Sequence, residues 1–258
     1  MINVFLMLKS QYLKTQMEYT ANFWMMILSG IVMRTLLMGV VFVLFYNIPD
    51  IAGWQAGEVY IILGFIIITE GLHNLLFDGI WHIPMLVFRG GLDVMLSRPI
   101  SPLYQILSHE LGLQGLGNLT VGIISLGLGL VYMGWLTPLA IILCVFFILT
   151  GTILRMSYNL ISLSHVFWIH GGIMNFGFFV HSIGEFAKYP VTIYPLAMRF
   201  VLFFIIPAGF IGFVPTLILR SEGVILYGGA LIAVTVIYFF VARAIFYRGI
   251  KRYESMGM

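Results

Sequence analysis

The sequence predicts an all-α integral membrane protein: six transmembrane helices, an N-terminal interfacial helix and a re-entrant outer hairpin before the last span. Three observations carry this. Apolar residues fill 61% of the 258 positions and charged residues only 9%, with a mean hydropathy of +1.04. A soluble domain of this size carries about a quarter charged residues. Several apolar runs reach the roughly 20 residues that span a hydrocarbon core as a helix. Basic residues gather near the ends of those runs, as topology signals do.

The elements follow in order. Residues 1–21 mix Val4, Leu6, Leu8, Leu13 and Met17 with Lys9, Lys14 and Glu18, a pattern that fits a helix lying in the interface. No cleavable leader is expected, because polar residues are spread through this stretch and no small-residue cleavage pattern precedes the first span. That span runs from about Phe23 to Tyr46, interrupted by Arg34, and Asn47-Ile48-Pro49-Asp50 is a turn. A second span covers about Val59 to Phe77, and a polar connection extends over 78–102. The third span ends near Met133, with Gly134 to Pro138 as a tight turn; the fourth ends near Tyr158, close to Arg155. Ile161 to Ile183 is apolar but holds Ser164, His165, His170 and Asn175. Val191 to Leu219 is long, apolar and broken by Pro195, Pro207 and Pro215, and Val224 to Phe246 is the last clean run.

Parity decides among these seven stretches. Lys9, Lys14, Arg89, Arg98, Arg155 and the C-terminal Arg243, Arg248, Lys251 and Arg252 are expected on the cytoplasmic side. Both termini inside requires an even number of crossings, so the Pro-broken segment 191–219 is read as re-entrant, its freed backbone groups satisfied within the protein. Lys188, Arg199 and Arg220 then fall outside.

Ionisable groups at membrane depth are costly and call for a role. Glu70, His73 and Asn74 stand at i, i+3 and i+4 and share one helical face, which Asp78 extends. They are read either as the lining of a transport path or as a hydrogen-bonded contact between helices or subunits. Arg34 lines a cavity or snorkels. His109-Glu110, at the start of the third span, carries the same two readings as Glu70. His165 and His170 have the wrong spacing for a two-histidine zinc site. Gly112, Gly115, Gly117, Gly122, Gly127, Gly129 and Ser125 lighten the third span and permit close helix packing.

Several classes are disfavoured. The net charge of +3 and pI near 9.0 reflect topology signals rather than nucleic-acid binding. The single Cys144 gives neither a disulfide framework nor a thiolate metal site. There is no phosphate-cradling loop, zinc-protease helix or nucleophile elbow, and no long soluble loop to carry a catalytic site. The chain is expected to be no enzyme, and no metal site is expected.

The run from Arg89 to Gln105, RGGLDVMLSRPISPLYQ, resembles the loop of ABC-2 family permeases, in the small-subunit branch often found as paired permeases. That branch shows G-x-L-D-x-x-L-x-R-P-x-x-P, matched by Gly90, Leu92, Asp93, Leu96, Arg98, Pro99 and Pro102. Tyr194-Pro195, Ile206-Pro207 and Val214-Pro215 are similar to the family's Pro-marked outer gate. The resemblance implies six spans with both termini cytoplasmic in the cell membrane, and a loop between spans two and three acting as a coupling helix on a separate ATPase. It places coupling on Arg89, Gly90, Leu92, Asp93, Leu96, Arg98 and Pro99, with Pro99 and Pro102 stopping the helix. It also implies a second permease copy, meeting along spans two and five, so that Arg34, Glu70, His73, Asn74, His165 and Asn175 line the substrate path or the dimer interface. ATP and Mg would sit on the partner ATPase, leaving this chain without a cofactor. The expected activity is ATP-driven export of a hydrophobic or amphipathic molecule. A proton- or ion-coupled secondary transporter using Glu70 and Glu110 is the main rival. A lipid-active membrane enzyme using His109 and Glu110 ranks below it.

Overall fold

The computed structural model describes residues 2–48, 50–169 and 174–253. Among these, the secondary structure is helical, apart from one isolated bridge between Ile51 and Trp54. The helices are α1 (Ile2–Glu18), α2 (Thr20–Asn47), α3 (Ala56–Phe77), α4 (Ile83–Phe88), α5 (Gly91–Leu96), α6 (Pro102–Ser108), α7 (Gln114–Tyr132), α8 (Pro138–Ser164), α9 (Met174–Gly184), α10 (Leu196–Phe200), α11 (Phe213–Leu219) and α12 (Val224–Ile250). Local chemistry sets several boundaries. The Gln55 backbone N–H donates to Glu58 at 2.9 Å at the start of α3. Thr137 Oγ1 caps α8 by accepting from the Ala140 N–H at 3.1 Å, with Pro138 as its first residue.

α3 forms the centre of the bundle. Its side chains are buried along almost its whole length, while α2 and α12 expose apolar faces suited to lipid. α3 and α7 pack backbone to backbone. A Cβ on Gly64 would lie 2.7 Å from Leu126 Cα, and one on Gly129 2.6 Å from the Gly57 carbonyl. With so little side-chain bulk between them, Ser125 donates across the seam to the Tyr60 carbonyl at 2.8 Å. The packing role expected of the small residues on the third span is what the structure shows, except at Gly127, whose surroundings are open.

Five helices among the described residues are long and apolar enough to cross a membrane: the stretches beginning at Thr20, Ala56, Gln114, Pro138 and Val224. The fifth expected span is not one continuous helix. The expected run from Ile161 to Ile183 is divided: α8 continues to Ser164, a 3-10 turn covers His165–Phe167, and the eleven-residue α9 follows. His170 lies outside the described residues. α9 begins near Trp81, which stacks on Phe178 with ring centroids 5.5 Å apart, and the chain then reaches the start of α3, where Trp54 Nε1 donates to Thr192 Oγ1 at 2.8 Å. The segment 174–192 therefore runs from one end of the bundle, which holds α4–α6 (the loop end), to the other.

The Pro-broken segment bends by 73° between Leu196–Ile205 and Pro207–Leu219. Thr192 near its start and Arg220 just after its end both reach the N-terminal end of α3; Arg220 pairs with Glu58 at 3.4 Å. Between these anchors the chain dips into the bundle, where Ile206 and Ala208 lie against Gly184, and Ile211 against Gly151. The hairpin starts and finishes at the same end. Pro195 stands at the start of α10, Pro207 at the bend and Pro215 within α11.

Candidate functional site

Two constellations stand out: a charged cluster inside the helical bundle and the loop element α4–α6. In the cluster, Arg34 of α2 donates to Glu70 of α3 through Nη2, while its Nε donates to Asn118 Oδ1 of α7 at 3.2 Å. Arg155 of α8 reaches the other Glu70 oxygen at 4.0 Å and the Ile66 carbonyl at 3.4 Å. Glu185, just beyond α9, pairs with Lys188 and stands 4.0 Å from Arg34. Glu70, Arg155 and Lys188 are all buried. A pocket of about 420 Å³ opens beside them, lined in part by Arg34, Glu70, Asn74, Asn118, Glu185 and Lys188.

Of the residues singled out in the sequence, Arg34, Glu70 and Asn74 come together at this pocket. His73 is buried one step behind it, 3.3 Å from Asn159 of α8. His165 sits past the end of α8, its Nδ1 on the Ser162 carbonyl and its ring against Phe176, away from the cluster. The side chain of Asn175 lies outside the described residues. Two basic residues correct the topology reading. Arg155 was expected at a cytoplasmic helix end, yet it is buried against Glu70 because α8 runs nine residues further to Ser164. Lys188 was expected outside and is instead buried against Glu185. With both removed, the basic residues still divide eight to two between the ends, so the bias survives.

Glu70, His181 and Glu185 bring one ligand atom each to within 4.8 Å of one another, the only such group among the described residues. Arg34 and Lys188 already pair with both carboxylates, so a metal ion would have to displace them. The arrangement suits an internal ion-pair network better than a cation site.

At the loop end, α5 is amphipathic. Leu92 and Met95 are buried, whereas Arg89, Val94, Leu96, Ser97, Arg98 and Pro99 are exposed, and Asp93 is half-buried. Gly90 adopts φ +68°, a left-handed conformation that separates α4 from α5 and that a larger residue would take up only with strain. Pro99 follows the end of α5, as expected, but Pro102 opens α6, where its fixed φ suits a first helical position. Gln105 Nε2 holds the element together by donating to the Met95 and Ile100 carbonyls at 2.7 and 2.9 Å. Leu92, Met95 and Ile106 belong to one apolar cluster with Met156 and Leu160 of α8 and with Ala242 and Phe246 of α12. The buried face of the element thus shares one packed core with two long helices.

α1 is fastened to the same end. Lys9 Nζ donates to the Glu110 carbonyl and Gln16 to the Leu111 carbonyl at 3.1 Å, while His82 pairs with Glu110 at 3.2 Å. Burial pushes the Lys9 ammonium down to about 8, opposed by the nearby Asp78 and Glu110 carboxylates. His109 and Glu110 therefore lie between α6 and α7, below the third span rather than within it, and Glu110 has φ +66°.

No curated protein and no solved structure matches the chain. The family model described as ABC-2 family transporter protein matches residues 23–257. The loop motif, the bundle of long apolar helices and this match agree: the chain belongs to the ABC-2 transporter family and is a multi-pass membrane permease of an ABC transporter.

Proposed function

We propose that this permease drives the export of a hydrophobic or amphipathic molecule, taking its energy from a separate ATPase subunit that docks on α4–α6. The observation that carries this is the two-sided build of α5. Its exposed Leu96, with Arg89 before it and Arg98 and Pro99 after it, can enter a partner's groove, and its buried Leu92 and Met95 would pass the push to α8 and α12. ATP and Mg would then bind the ATPase, and this chain would need no cofactor. Docking from the cytoplasm would put both termini and the loop end on the cytoplasmic side of the cell membrane, with the hairpin of 191–219 at the outer face as a gate. A second permease copy, identical or related, would close the open side of the charged pocket. Pairing of Glu70 with two arginines weighs against the secondary-transporter reading, because a coupling carboxylate must be free to exchange its proton.

The test is charge reversal on the exposed element. Arg98→Glu together with Asp93→Arg is expected to abolish stimulation of the partner ATPase by the permease in proteoliposomes, with the permease still folded. Undiminished stimulation would place the coupling contact elsewhere.

A further inference from the structure

We propose that the cleft between α6, α8 and α12 at the loop end binds one acyl chain of an anionic phospholipid, with the lipid phosphate held by Arg243. The cleft measures about 260 Å³ and its walls are almost entirely carbon, from residues such as Leu103, Met156, Leu160 and Phe239. Its polar groups gather at one rim, where the Ser101 and Tyr247 hydroxyls bond at 2.8 Å and Arg243 lies over the Tyr247 ring at 5.7 Å.

Arg243 stands two turns before the end of α12 and is exposed. Among the described residues no carboxylate lies within ion-pair distance of it, unlike Arg34, Arg155 or Arg220. A guanidinium near a helix end with no carboxylate partner is open to an anion, and a phosphate in the head-group layer is the anion the membrane itself supplies. Arg248, Lys251 and Arg252 follow within the next turns and add attraction of the same sign. An acyl chain in the cleft beside a phosphate on Arg243 satisfies both halves of the site at once. The bound lipid would bridge α6, which directly follows the coupling motif, to α12.

The experiment is native mass spectrometry of the purified full chain titrated with phosphatidylglycerol or phosphatidylcholine. The wild type is expected to retain phosphatidylglycerol preferentially. Arg243→Ala should lower that retention about fivefold and leave phosphatidylcholine unchanged, the loss expected for one basic contact with an anionic lipid. Leu103→Trp, which fills the cleft, should lower retention of both lipids while the chain elutes as a single species. Equal retention of the two lipids by the wild type would overturn the proposal, and so would unaltered phosphatidylglycerol binding in Arg243→Ala. Unaltered binding in Leu103→Trp would remove the acyl chain from the cleft.

Discussion

Replacing Glu70 by glutamine is expected to destabilise the protein by about 3–5 kcal/mol, the cost of removing one partner from a buried ion pair. Glu70 is the carboxylate on which Arg34 and Arg155 converge, from α2 and α8 respectively. Glutamine preserves the shape and removes the charge, which leaves Arg155 with no anion at close range and Arg34 with Glu185 alone, at 4.0 Å, in a medium that solvates them poorly. The effect is asymmetric. The cluster holds three basic side chains, Arg34, Arg155 and Lys188, against Glu70 and Glu185. Arg34→Gln therefore leaves the remaining charges balanced and is expected to be milder. The double variant Glu70→Gln/Arg34→Gln should recover part of the loss, since coupled sites are not additive. Thermal unfolding in detergent reads all three. A Glu70→Gln protein as stable as the wild type would mean that the network contributes nothing to the fold.

Gly117→Leu is the second large effect. A Cβ at Gly117 would run into the Ile27 carbonyl and lie 2.8 Å from the Ile31 nitrogen, both backbone atoms of α2. Across the same seam, a Cβ at Gly30 would lie 2.5 Å from the Gln114 carbonyl. Overpacking usually costs about 1–3 kcal/mol because side chains can adjust. Here the obstacle is main chain, so relief requires α2 to move away from α7 and the Arg34–Asn118 bond to break. Loss of a monodisperse peak in gel filtration is the expected readout. Gly127→Leu, on the same helix with nothing within 4 Å of its Cβ, should leave both stability and elution unchanged. Equal behaviour of the two variants would show that close approach at Gly117 is not required.

Hydropathy was enough to find α2, α3, α7, α8 and α12, because each is a long apolar run closed by turn residues. It failed at the end of α8 for a physical reason. Ser164 reads as polar, but its hydroxyl and that of Ser162 are satisfied inside the helix by the carbonyls of Leu160 and Asn159, at 2.6 and 2.9 Å. The helix therefore continues, and Arg155 moves from its supposed end to its buried interior. Glu70 was legible because a lone carboxylate in an apolar run has few explanations. Arg34 was legible for the same reason, but Arg155 and Lys188 were not, since nothing local marks either as buried. Lys188 lies in a polar patch, Glu185 to Pro190, that looks like a surface loop until the fold carries it to Arg34. At the loop end, the motif located the α4–α6 element, but the role of Pro102 as a helix start depended on the direction in which the chain resumes.

The most direct test of the account is transport by proteoliposomes containing the chain alone or the chain with its ATPase subunit, read with a fluorescent amphipathic probe. ATP-dependent movement that requires both subunits, and none under an ion gradient with the chain alone, is the predicted result. Gradient-driven movement by the chain alone would contradict it.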